Sequence, residues 1–171
     1  MREPDILAEL QDACNRDSAW MELAGLLLDD SINVHLAIMI EPFLEYLLTG
    51  RKVIESRFSR NAITPFGSVK ANDLVFLKAG PVVGCFRVAS AEFVILYEGE
   101  LQRVRERYAE QICAETDEFW DARAEKRYAT LISVAQVWRL PPVKVPKRDM
   151  RGWVVVRRAD AGLCQGQLAL L

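Results

Sequence analysis

Apolar residues recur along this chain with two periods, and the switches between the periods mark the elements. Between residues 4 and 28, Leu7, Leu10 and Cys14 fall on one helical face, and Trp20, Leu23 and Leu27 continue the three-to-four spacing. The stretch "NRDS" predicts a break into two helices, with Asp17 or Ser18 as a cap. "INVHLAIMI" then reads as a β-branched strand, and "EPFLEYLLTG" as a helix with Pro42 in its first turn and Gly50 at its C-cap. "GRKVIESR" is the next strand. Pro65, Gly67, Asn72 and Asp73 mark a loop, and "DLVFLK" and "VVGCFRVASAEFVIL" are strands joined across "KAGP". Helical periodicity returns in "GELQRVRERYAEQI" and "TDEFWDARAEKR", with a helix start at Thr116. "YATLISVAQVWRL" is a long strand, "PPVKVPKRDMRG" a loop and "WVVVRR" a last strand. This order predicts an α+β fold: a small mixed, mostly antiparallel β-barrel with flanking helices. Residues 1–30 form an N-terminal helical extension, 31–158 the main domain and 159–171 a C-terminal tail.

Composition adds a class, and charge adds a direction. Of the 171 residues, 51% are apolar and 27% charged, which is ordinary for a globular protein with a sizeable core. A net charge of −2 gives no global positive field to attract nucleic acid, so any such binding needs a local patch. The charge is segregated: residues 1–45 carry a balance of −8, 46–97 of +4, 98–128 of −3 and 129–171 of +5. The cysteines at 14, 85, 113 and 164 form no Cys-x-x-Cys motif, and His35 is the sole histidine, so no metal site or cofactor is expected. Isolated cysteines, the lack of a signal-peptide pattern and the short apolar runs lead to an expected cytoplasmic location without membrane association.

The candidate chemistry concentrates in "GRKVIESR". Strand alternation puts Val53, Glu55 and Arg57 on one face, while Lys52 sits near the helix-to-strand junction. Glu55 can hold the Arg57 guanidinium, leaving Lys52 as a point charge for a phosphate or a carbonyl. Glu55 can also accept a base amino group. If the protein is an enzyme, a desolvated Lys52 and Glu55 would be its acid–base pair. The alternative is a structural ion pair that closes the end of the barrel.

"GRKVIESR" matches the glycine-x-lysine-x-x-glutamate-x-arginine signature of ASCH domains, which are PUA-like β-barrels. The resemblance spans about residues 32–158 and includes "PFLEYLLTG" before the signature, "NDLVFLK" and "VVGCFRV" after it, and the late strand "RYATLISVAQV". It implies binding of RNA or a nucleotide around the motif. Some members are ribonucleases. Others hydrolyse acylated cytidine with a lysine and a threonine of this motif; Lys52 matches that lysine, but Glu55 stands where the threonine would be, so that nucleophile is missing. The further reading is a protein-interaction module, with the acidic helices as its docking surface. Neither the oligomeric state nor the ligand is legible.

A second basic region carries Arg139, Lys144, Lys147, Arg148, Arg151, Arg157 and Arg158. Lys147, Arg148 and Arg151 in the proline-bounded loop are the candidate phosphate contacts. Trp138 and Trp153 flank the loop and read as core anchors, and His35 as a satisfied core or rim histidine. Trp120 and Tyr128 read as packing residues. Arg103, Arg105 and Arg107 read as a solvated helix face.

Overall fold

A computed structural model describes residues 3–146 and 150–160. Lys147, Arg148 and most of the tail lie outside the described residues. The elements run α1 (Glu3–Arg16), α2 (Met21–Leu28), β1 (Val34–Ile38), α3 (Phe43–Leu48), β2 (Ile54–Ser59), β3 (Leu74–Lys78), β4 (Val82–Ile95), α4 (Glu100–Ile112), α5 (Asp117–Asp121), β5 (Tyr128–Val143) and β6 (Trp153–Arg157).

The six strands form one curled, mixed sheet of order β2-β5-β4-β3-β1-β6, an α+β half-barrel with β2 and β6 as its edges. The β1–β3 pair is parallel; the other pairs are antiparallel. β3 shows why the sheet is covered on both faces. Leu74 and Phe76 belong to one core cluster, and Val75 and Leu77 to another, as strand alternation requires.

On the first face lie α1 and α2. Leu10, Trp20, Leu23 and Leu27 are buried there with Ile6, and Trp20 stacks on Phe76. Leu7 is only half-buried, so the buried stripe is turned slightly toward Ile6. The apolar face of the acidic helices is therefore committed within the chain. Arg157 secures the turn after α2 by donating to the carbonyls of Leu27, Asp29 and Ile32. That removes it from the cationic loop with which the sequence grouped it.

On the second face lies α3, with Leu44 and Leu47 inward. Gly84 makes room for its close approach: a Cβ there would stand 2.6 Å from Leu48 Cδ2 and 3.0 Å from the Trp138 carbonyl oxygen. α4 and α5 cover the far side of β2 and β5 through Val104, Ile112, Trp120, Ile54 and Leu131.

β5 runs further than the sequence suggests. Pro141 and Pro142, read as loop, continue the strand to Val143, which pairs with Val82. β2 pairs with β5 only over residues 128–133, so further along β5 the side away from β4 has no neighbouring strand that needs a proline N–H.

Candidate functional site

The signature begins where α3 ends. Gly50 takes a left-handed φ of +79°, and the chain turns sharply enough for Lys52 N–H to donate to the Tyr46 carbonyl. Lys52 thus precedes β2, and its side chain is buried: Nζ donates to the Ile112 carbonyl at 3.2 Å and lies 5.0 Å from the centre of the Phe43 ring. Glu55 and Arg57 sit on one face of β2, opposite Ile132 and Thr130 of β5.

Glu55 is 3% exposed and faces two cations. Its Oε1 accepts from Arg57 Nε at 2.8 Å. Lys52 Nζ pairs with the other oxygen, Oε2, at 3.2 Å. Burial pushes the Glu55 carboxyl up; Lys52 and Arg57 together more than offset this and hold it below the usual carboxylate range. Glu55 is therefore ionised at neutral pH.

Arg57 is a clasp. Besides Glu55, its guanidinium donates to the carbonyls of Ile38, at the end of β1, and Gly152, before β6, at 3.0 and 3.4 Å. It also lies over the Trp153 ring at 5.3 Å. One side chain from the β2 edge thereby bridges the mouth of the half-barrel to its other end. The expectation of an ion pair closing the barrel fits this residue, and its N–H groups are largely spent on the protein.

Beside these three residues opens a cleft of about 410 Å³. Its lining holds four cations, Lys52, Arg57, Arg123 and Lys126, against one carboxylate, Glu55. Phe43, Phe58 and Phe119 supply an aromatic wall, with Phe119 edge-on to the other two at 5.8 and 6.1 Å. Arg123 lies 3.4 Å from the Phe119 ring centre, and its Nη1 donates to the Phe119 carbonyl at 2.7 Å. Burial lowers the Arg123 pKa, with the Glu55 charge working the other way.

No family model matches the chain, and no curated protein matches it in sequence. Among solved structures, the ASCH protein of Zymomonas mobilis aligns with a TM-score of 0.58 at 12% identity, covering 75% of this chain and 90% of that one. A serine-to-alanine variant of it aligns with a TM-score of 0.58 at 11% identity over 75% and 90% of the two chains. A tyrosine-to-phenylalanine variant gives 0.57 at 12% over 72% and 90%. The fold is of the ASCH type. At this level of identity the likeness is one of architecture.

Within this ASCH-type fold, the structure brings Lys52, Glu55 and Arg57 together and sets Arg151, exposed, beside Gly152, whose carbonyl accepts from Arg57. Arg139 pairs on the surface with Glu45 of α3 instead. Sequence reasoning missed Phe43, Phe58, Phe119, Arg123 and Lys126. A signal was present, since Phe119, Arg123 and Lys126 recur at intervals of four and three. Charge-laced sequence there reads as a solvated face, and only the fold shows which element it flanks.

His35 belongs to a different construction. It is fully buried, with Nε2 3.0 Å from Asp73 Oδ2 and Nδ1 3.1 Å from Trp153 Nε1. The indole can only donate, so Nδ1 accepts and Nε2 carries the proton toward Asp73. Trp138, Trp153 and Trp120 are all buried, as core anchors. Among the described residues, no cluster of metal-ligating side chains occurs, and no helix is long and apolar enough to cross a membrane.

Proposed function

We propose that the protein binds a nucleotide, free or as one residue of an RNA chain, in the cleft around Gly50, Lys52, Glu55 and Arg57. The observation that carries this reading is the cleft lining itself: four cations and the ionised Glu55 beside a wall of three phenylalanine rings. A carboxylate in the lining is the one anionic acceptor there for a ligand that brings an N–H, such as the exocyclic amine of cytosine or adenine. The rings offer apolar area for a base, and the surplus positive charge favours phosphate. Lys147, Arg148 and Arg151 would contact a longer RNA. Replacing Lys147 with alanine should weaken all RNAs alike and lower the salt slope by about one.

Turnover by Lys52 and Glu55 has less support. A carboxylate held below its usual range is a weak base, and Lys52 is committed to the Ile112 carbonyl and to Glu55. The test is calorimetric titration of the wild type and Glu55→Gln with the four common ribonucleoside monophosphates at low salt. Amino-bearing bases should bind better than uracil by on the order of 1–3 kcal/mol, and Glu55→Gln should erase the difference. If none of the four binds the wild type, the reading is wrong.

A further inference from the structure

β2 is an edge strand, and its open side borders the cleft. Val134 N–H donates to the Val53 carbonyl at the start of the β2–β5 pairing. Antiparallel pairing alternates, so odd-numbered residues of β2 turn their backbone groups toward β5. The N–H and C=O groups of Ser56 and Phe58 then turn outward, along the open edge. An unpaired strand edge needs partners for these groups.

Ser56, Phe58, Arg123 and Lys126 all line the cleft at this edge. Arg123 is held by Phe119 and by Phe58, 5.3 Å from its ring, and spends Nη1 on a carbonyl. Neither Arg123 nor Lys126 forms a salt bridge among the described residues. Lys52 and Arg57 differ, because both are bound to Glu55 and to backbone carbonyls. The cleft thus holds two cations paired with Glu55 and two that form no salt bridge among the described residues.

We propose that Arg123, Lys126 and the outward amides of Ser56 and Phe58 form a phosphate subsite, which makes the preferred ligand a phosphorylated nucleoside over a free one. This rests on the nucleotide reading and adds the second half of the ligand. A phosphate monoester carries about −1.5 to −2 charges at neutral pH, which balances two cations where a diester balances one. Arg123 supplies a planar fork fixed by ring stacking, Lys126 a point charge, and the strand edge oriented N–H donors. The base then lies toward Glu55, so the two ends of the ligand are read by separate elements.

The experiment compares adenosine and cytidine with their 5′-monophosphates on the wild type, Arg123→Gln and Lys126→Gln, by calorimetry at low salt. In the wild type at least one monophosphate should bind roughly tenfold more tightly than its nucleoside, as charge-assisted hydrogen bonds allow. That ratio should fall toward one in either variant. Lys126→Gln changes no packing contact of the Phe119 ring, so it carries the test if Arg123→Gln fails to fold. Inorganic phosphate alone, followed by amide NMR, should shift Ser56 and Phe58. Nucleosides that bind with no gain from phosphate overturn the subsite and leave the nucleotide reading standing. An undiminished gain in both variants, or phosphate shifts confined to other amides, also overturns it. Binding of neither nucleoside nor monophosphate overturns both.

Discussion

Asp73 and Glu55 are buried carboxylates, each beside a nitrogenous partner, and they differ in where they stand. Asp73 accepts from the Asn33 backbone and side-chain amides, from Lys70 N–H and from His35 Nε2. His35 in turn accepts from Trp153, so each of these side chains has a partner and none lines the cleft. Glu55 has its charge balanced by Lys52 and Arg57, and it lines the cleft. Burial and chemistry alike make both residues look functional. Position separates them: a saturated network sealed in the core specifies structure, and an ionic cluster at a cleft leaves room for a ligand.

The largest test of this contrast is Asp73→Ala. It strands the buried donor of His35 and the half-buried ones of Asn33 and Lys70, and should cost about 3–5 kcal/mol in urea unfolding. A loss under 1 kcal/mol would mean that the Asp73 network is not the structural member of the pair.

Glu55→Gln should cost less stability, about 1–3 kcal/mol at neutral pH, because the amide still accepts from Arg57 while two cations lose their counter-charge. The sign with pH follows from the lowered Glu55 pKa. The folded carboxyl is more acidic than the unfolded one, so its stabilisation is complete above the ordinary Glu value of about 4.3 and fades as pH falls through the lower folded value. The gap between wild type and Glu55→Gln should therefore close in acid. Unfolding free energies that stay equally far apart from neutral pH into the acid range would contradict the ionised assignment.

Trp153→Phe keeps an aromatic ring under Arg57 and removes the donor to His35 Nδ1. A loss of about 0.5–1.5 kcal/mol is expected, with the nucleotide preference at Glu55 retained. A lost preference with intact stability would instead join the two networks into one. The smallest effect belongs to Arg139→Ala, which breaks an exposed pair with Glu45 and should change stability by about 0.2–1 kcal/mol, less in high salt.

Some of the site could be read directly from the chain. Alternation in "GRKVIESR" put Glu55 and Arg57 on one face, and both lie there. The helical stripe from Leu10 to Leu27 forecast its own burial. Lys52 was ambiguous because it precedes the strand, where no period governs direction. The cationic segment 139–158 was read as one region, but Arg139 and Arg157 are spent elsewhere, on Glu45 and on the turn after α2. The prolines at 141 and 142 looked like loop because a proline cannot donate to a ladder; the vacant side of β5 removes that objection.

The sequence by itself determined the element types and their buried faces, because periods of 3.6 and 2 are local properties of a helix and a strand. It also determined the Lys52–Glu55–Arg57 grouping, since these residues are neighbours along the chain. Tertiary structure decided which distant residues meet them. Arg57 reaches Gly152, 95 positions away, and His35 reaches Trp153 across 118. Arg123 and Lys126 enter the cleft because α5 packs beside β2, and β2 exposes its backbone because the curled sheet leaves it at an edge. Edge or centre, satisfied or open, are properties of strand order and of long-range packing, which no local period encodes.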